Sequence, residues 1–183
     1  MSPWSSTEIT RAIEQPVELT DYDPAWPGQF EAERRRLMDA LPGTFVAIEH
    51  IGSTAVAGMR SKPLIDMLAG VRSMAEAFAL NGLLDRIGYT TSAALNATLK
   101  TRQWFMRQSN GVRTHHLHVV VHGEPDWTTR VGFRDRLRAD PVVRTRYLAL
   151  KEELAVRHAG NRDAYTEGKS DFINAVNEGR DVG

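Results

Sequence analysis

Residues 48–71 read IEHIGSTAVAGMRSKPLIDMLAGV. Apolar runs at 45–51 and 64–71 flank a linker that contains Gly52, Ser53, Gly58, Lys62 and Pro63. Each run has the length of a buried strand, and the linker has turn chemistry. Gly52 tolerates backbone angles that a side chain forbids, which lets the main chain approach a ligand closely. Ser53 adds a small hydroxyl that both donates and accepts. Lys62 brings a mobile positive charge to the same turn. Asp66 stands among Leu64, Ile65, Met67 and Leu68, where an unpaired carboxylate is costly to bury. Together these residues outline an anion-plus-metal site. The plainer alternative is an Asp66 satisfied by backbone N–H groups or by Lys62. For Gly52-Ser53 it is a tight turn with Ser53 as a helix N-cap. Both can hold at once, because a helix N-terminus attracts anions.

Working outward, the chain has 183 residues, 42% of them hydrophobic and 25% charged, the composition of a globular domain. We expect a single domain over 1–183, with 1–16 as a loose extension and 127–179 as C-terminal helices. Lys plus Arg equals Asp plus Glu at 23 each, so no global positive field points to nucleic acid. There is also no basic run interleaved with aromatics, and nucleic acid is not an expected partner. The absence of cysteine excludes disulfides, thiolate metal sites and a Cys nucleophile, and it suits the cytoplasm. The N-terminal stretch is not a secretory signal, and no apolar window is long enough for a membrane span. The oligomeric state is not legible.

The remaining elements follow from pattern. A short helix is expected over 7–14 and a short strand over 17–19. Pro24 and Pro27 lead into a helix carrying Phe30, Leu37 and Leu41, which Pro42-Gly43 ends. Ser73 and Glu76 form a capping box for a helix over 74–87, and 89–91 form a strand edge. Residues 92–102 give no clear pattern. Strands over 103–108 and 113–122 make an antiparallel hairpin around Ser109-Asn110-Gly111. Helices are expected over 127–139, 141–158 and 162–178. The fold class is therefore α+β, a mixed sheet with helices on one face and a helical C-terminal half.

In the run HHLHVVVH, alternation puts His116, His118, Val120 and His122 on one strand face and Leu117, Val119 and Val121 on the other. Neighbours on one face lie ~7 Å apart, close enough for His116 and His118 to share an ion with Asp66. Imidazole and carboxylate suit zinc, iron, nickel or manganese. A solvated face with ordinary histidines is the alternative. A histidine also titrates near neutral pH, which suits acid–base work. Glu49 and His50 alternate, so only one of them faces any given pocket. His50 is either a site residue or a hydrogen-bonded core histidine. Lys62, Arg107 and Arg113 are candidates for binding phosphate or carboxylate. Tyr147 and Lys151, Tyr165 and Lys169, and Arg134 and Arg138 are each four residues apart on a helix face. They form either a basic wall over the sheet or amphipathic packing with buried Lys stems.

The segments DYDPAWPGQF, IEHIGSTAV, KPLIDML, HLHVV and FRDRLRADP, with the pairs Tyr147/Lys151 and Tyr165/Lys169, resemble the GrpB family in order from Asp21 to about Val176. The resemblance implies the nucleotidyltransferase fold related to DNA polymerase β. That superfamily is marked by Gly-Ser and then Asp-x-Asp on the next strand. Gly52, Ser53 and Asp66 fit the pattern, whereas Leu68 stands at the second acid's position. The implied activity is that of a nucleotidyltransferase, or a related transferase or ligase, acting on a small molecule with a nucleotide or other phosphate-bearing substrate. Its implied cofactors are a divalent metal (Mg, Mn or Zn) and a nucleoside triphosphate. Asp66, His116 and His118 would be catalytic residues and metal ligands. Gly52, Ser53, Lys62, Arg113, Lys151, Tyr165 and Lys169 would bind substrate. Because Leu68 weakens a two-magnesium site, the alternative is a non-catalytic domain binding a nucleotide or small ligand. Similar domains of that family occur fused to a dephospho-coenzyme A kinase, which implies an accessory or coenzyme A-related role.

Overall fold

Five strands form one mixed sheet: β1 (Ala47–Ile51), β2 (Ile65–Val71), β3 (Tyr89–Thr90), β4 (Arg102–Ser109) and β5 (Val112–Val121), in the spatial order β1-β2-β5-β4-β3. The β2–β5 pair is parallel and the other neighbours are antiparallel. The structure, a computed structural model, describes Thr7 and residues 16–109 and 111–181. Apart from Thr7, the helix expected over 7–14 lies outside the described residues, as does Asn110 of the hairpin turn.

One face of the sheet carries α1 (Trp26–Ala40), α2 (Met74–Ala79) and α3 (Asn81–Arg86). Helix α1 buries Trp26, Phe30 and Leu37 against Ile48, Met67, Leu117 and Val119. Ser73 Oγ accepts the Glu76 N–H at 3.2 Å, so the capping box starts α2 where expected. The helix expected over 74–87 is broken after Ala79, where Leu80 caps one segment and opens the next. Residues 92–102 contain the short helix α4 (Ala93–Thr98), capped by Ser92.

The second face lies beneath α5 (Pro125–Ala139), α6 (Pro141–Arg157), α7 (Arg162–Glu167) and α8 (Ser170–Asn177). Trp127 and Val131 of α5 pack on Ile51, Leu68 and Val120. The helix expected over 162–178 is two helices. At Gly168 a Cβ would come within 2.7 Å of Leu154, so the chain breaks where α6 crosses it. No strand forms over 17–19. Val17 N–H instead bonds the Ala159 carbonyl at 3.0 Å and its side chain packs with Leu154 and Tyr165, while Thr20 makes an isolated bridge to Ser61. These contacts fasten the segment to the C-terminal helices and away from the sheet. Among the described residues no helix is long and apolar enough to cross a membrane.

Candidate functional site

Cross-strand partners point to the same side of a sheet, so the register alone lays out the second face in rows. One row is Ile51, Asp66, His116 and Met106. The next is Glu49, Leu68, His118 and Trp104, and the third is Ala47, Gly70, Val120 and Arg102. Asp66, His116 and His118 therefore occupy one patch, and each offers a ligand atom within 4.8 Å of the others. His122 does not join them, because it follows the end of β5 and packs on Trp127 with the rings tilted by 52° and their centres 4.5 Å apart. Gly70 makes room for that contact, since a Cβ there would meet both rings' side chains at 2.9 Å.

Gly52 stands at φ +71° and ψ −174°, a region essentially reserved for glycine. A Cβ at this position would lie 2.6 Å from Asp66 Oδ2. The glycine thus brings the turn against the carboxylate itself. Ser53 is the first residue of the single 3₁₀ turn Ser53–Ala55, and Gly52, not Ser53, is its N-cap. The Ser53 hydroxyl instead meets Tyr147.

The proton positions at the centre follow from chemistry. Arg113 Nη1 lies 3.1 Å from His116 Nε2, and His116 Nδ1 lies 3.1 Å from Asp66 Oδ1. Arginine has only donors, so Nε2 must accept and the ring proton must sit on Nδ1, donating to Asp66. Burial pushes the Asp66 carboxyl up, but the His116 hydrogen bond and its electrostatic interactions with His116, His118 and Lys62 outweigh it, holding Asp66 well below the usual carboxylate range. Burial lowers His116 to about 4 in spite of Asp66, with Arg113 and Arg162 adding to the fall. Burial and Arg130 likewise push His118 well down. Neither ring titrates near neutral pH, which corrects the sequence-based expectation. Both are neutral bases there, and His118 Nδ1 is buried without a hydrogen-bond partner.

A cationic wall faces this row. Lys62 Nζ and Lys169 Nζ approach the Tyr165 ring at 4.8 and 4.3 Å from its centre. Burial lowers Lys62 to about 7, with Arg162 and Lys169 adding repulsion. Burial also lowers Lys169 to about 8, Lys151 to about 7 and Arg113 to about 10. Lys151 is 2% exposed, and its Nζ donates to the Arg60 carbonyl at 2.5 Å, so it also fastens the 52–64 turn to α6. Arg162 completes the wall. Sequence reasoning missed it, although it lies three residues before Tyr165 and seven before Lys169. Trp104, with its ring centre 5.1 Å from that of His116, was missed as well.

Other candidates lie elsewhere. Arg107 pairs with Glu33 at 2.7 Å on the opposite face. His50 stacks on Phe30 at 4.7 Å and bonds Thr54 at 3.0 Å, a core histidine that burial lowers to about 4. Glu49 shares the site face but is held by Arg134 of α5, and Arg138 bonds the Ala55 carbonyl at 3.0 Å. A cleft of about 590 Å³ between α5, α6 and α8, lined by Gly132, Arg136, Val143 and Arg180, shares no residue with the site.

The family model for the GrpB protein matches residues 16–178. The chain belongs to the GrpB family. The UPF0157 protein YqkA of Bacillus subtilis is 35% identical over 162 residues, which are 88% of this chain and 46% of that protein. This chain thus spans about half of YqkA's length. The glutamate-rich protein GrpB of Alkalihalophilus pseudofirmus is 31% identical over 87% of this chain and 93% of its own. A dephospho-CoA kinase of Mycolicibacterium paratuberculosis is 31% identical over 92% of this chain, of which it shares 46% of its own length. The crystal structure of the conserved protein GrpB from Enterococcus faecalis superimposes with a TM-score of 0.77 at 32% identity, covering 88% of this chain and 96% of that one. The α+β architecture and the five-stranded mixed sheet match a GrpB, nucleotidyltransferase-like fold.

Proposed function

We propose that this GrpB domain is an enzyme of nucleotidyltransferase fold that acts on a small molecule with a nucleotide or another phosphate-bearing substrate. The observation that supports this is an imbalance of charge. Lys62, Arg113, Lys151, Arg162 and Lys169 all interact with Asp66, and the other acids that act on them, Asp163 on Arg113 and Arg162 and Glu152 on Lys151, still leave five cations to three carboxylates. Buried cations repel one another and lose hydration, so an unmatched group of them favours an anion. Phosphate oxygens suit both Arg forks and Lys ammonium groups.

The donor set Asp66, His116 and His118 fits one divalent ion tolerant of nitrogen, such as zinc or manganese, and the orphaned His118 Nδ1 is a ready ligand. When bound, such an ion polarises a phosphoryl oxygen as a Lewis acid. The chain's own residues do the rest. Lys62, Lys169 and Arg113 position the phosphates, Gly52 and Ser53 hold the turn against Asp66, and neutral His118, with Nδ1 offered to the ion, keeps its proton on Nε2. His116 would change partners to serve as a metal ligand, because Asp66 and Arg113 occupy both of its nitrogens.

Leu68 supports a second reading, a binding domain without turnover. It faces the site where the fold's second acid would stand, is fully buried, and packs under Trp127. The relatives that are dephospho-CoA kinases give that reading an accessory role beside a kinase. The test is incubation with each nucleoside triphosphate and Mg, Mn or Zn, measuring pyrophosphate release. Turnover abolished by Asp66→Ala and by His118→Ala supports the enzyme. Triphosphate binding with no turnover in any metal replaces it with the binding module.

A further inference from the structure

The cations on the other side of His118 are not used by the function proposed above. Arg102 is the cross-strand partner of Val120, one row beyond His118, so its side chain rises from the same face. Arg130 comes from α5, three residues after Trp127, and is the charge that acts most strongly on His118. The two guanidinium groups also repel each other. Arg102 Nε, Arg130 Nε and His118 Nδ1 are all buried without a hydrogen-bond partner. Arg130 has a long ion pair of 4.0 Å from Nη2 to Asp126 Oδ1, while Asp126 Oδ2 accepts the Thr101 hydroxyl at 2.5 Å. Among the described residues Arg102 pairs with no carboxylate. Unmade bonds to buried charged donors are costly, and two mutually repelling guanidinium groups with only the distant Asp126 to offset them compound the cost.

The lysine wall acts on the opposite end of the row. Arg113 and Arg162 act on His116, whereas Arg102 and Arg130 act on His118. Leu68 and Trp104 flank His118 between the two ends. Arg130 is 26% exposed, so the guanidinium is accessible from solvent.

We infer that Arg102 and Arg130 form a second oxyanion subsite beyond His118, and that this face of the sheet binds anionic groups at both ends of the Asp66–His116–His118 row. The occupant is a compact carboxylate or phosphate on the molecule that reacts with the phosphate-bearing substrate. This rests on reading the lysine wall as a phosphate site. Two charged ends explain why cations outnumber acids on both sides of a centre that holds a single carboxylate. They also place the His118 ring between the two bound groups.

The experiment titrates inorganic phosphate, and separately acetate, into the full chain while following the imidazole NMR signals of His118 and His116 and the heat of binding. The wild type should show a saturable response at His118. In the Arg102→Gln/Arg130→Gln variant that response should weaken about tenfold, the loss expected for charge-assisted hydrogen bonds. The response at His116 and the lysine wall should persist. Arg102→Lys/Arg130→Lys should recover part of the His118 response, and thermal unfolding of each variant checks that it is folded. Tighter binding of acetate at the His118 end identifies the occupant as a carboxylate, and tighter binding of phosphate identifies it as a phosphate. A His118 signal that neither anion moves, or that moves equally in the double Gln variant, overturns the second subsite and leaves the lysine wall standing. Phosphate bound at neither end overturns both.

Discussion

Glu33 and Asp66 lie on opposite faces of the same sheet, and each carries a charge toward the interior. Glu33 projects from α1 and is 4% exposed. It accepts from Arg36 at 2.6 and 3.0 Å, from Arg107 at 2.7 Å and from the Tyr89 hydroxyl at 2.8 Å. Burial pushes its carboxyl up, but these partners more than offset it, so it stays ionised with its oxygens satisfied. Asp66 accepts from His116 and is otherwise surrounded by cations that it does not neutralise. Its side chain is 30% exposed. A closed network of this kind holds the fold together, while an open one awaits a ligand.

The sharpest way to break the comparison is to remove the acid from the closed network. Glu33→Ala leaves Arg36, Arg107 and the Tyr89 hydroxyl without their acceptor. Breaking a buried ion pair from one side costs about 3–5 kcal/mol. Both arginines are about a third exposed and can regain water, so we expect the lower end, about 3 kcal/mol, in urea unfolding. Phosphate affinity at the lysine wall should not change. A loss of binding equal to the loss of stability would show that the two faces are not separate.

Much of this was legible in the chain. The alternation of residues 116–120 set the histidines on one face, and the Asp66 anomaly pointed to their partner. The spacing of Tyr165 and Lys169 placed a cation beside an aromatic ring. What escaped was burial of charge on helices. Glu33 lies three residues after Phe30 and four before Leu37, squarely on the apolar stripe of α1, yet its charge reads as solvated. Lys151 holds the same kind of position between Tyr147 and Leu154. Spacing shows that such a residue faces inward, but only tertiary contacts show what satisfies it. For Glu33 these come from 56 and 74 residues away along the chain. The breaks at Leu80 and Gly168 were hidden for the same reason, since continuous helical patterns run through both.

The dependence of stability on pH should separate the two regions further. His50, His115 and His116 are each lowered by burial to about 4. Unfolded histidine binds its proton near 6.5, so between these values the unfolded chain holds more protons and stability falls as pH drops. The lysine wall gives a second limb. Lys62, Lys151 and Lys169 lose their protons at about 7, 7 and 8 when folded, whereas unfolded lysine keeps its proton to about 10.4. Between those values the unfolded chain again holds more protons, so stability should rise from neutral toward alkaline pH. Saturating phosphate should flatten this alkaline limb by restoring the lysine charges, and should leave much of the acid limb, to which His50 and His115 contribute from the opposite face. Melting curves from pH 5 to 10, with and without phosphate, measure both. An alkaline limb that phosphate does not alter would mean that the anion binds elsewhere.

The smallest effect is the most discriminating in sign. Lys169→Gln removes the cation that lowers both Lys62 and Lys151 and is itself lowered by Arg162. Relief of repulsion with Lys62, Lys151 and Arg162 should stabilise the free protein by about 0.5–1 kcal/mol, as changes that sacrifice function commonly do. The opposing loss is its cation–π contact with Tyr165, worth a similar amount at an exposed ring and more at a dry one. Lys62 approaches the same ring and remains to interact with it, so the loss is partly covered and the net sign should stay positive. Phosphate affinity should fall about tenfold with the charge-assisted bond. Thermal melts and phosphate titrations on the same samples give both signs. A variant that is less stable and binds phosphate as before would make Lys169 a packing element of the kind Lys151 partly is, and the wall would then belong with the closed network of Glu33.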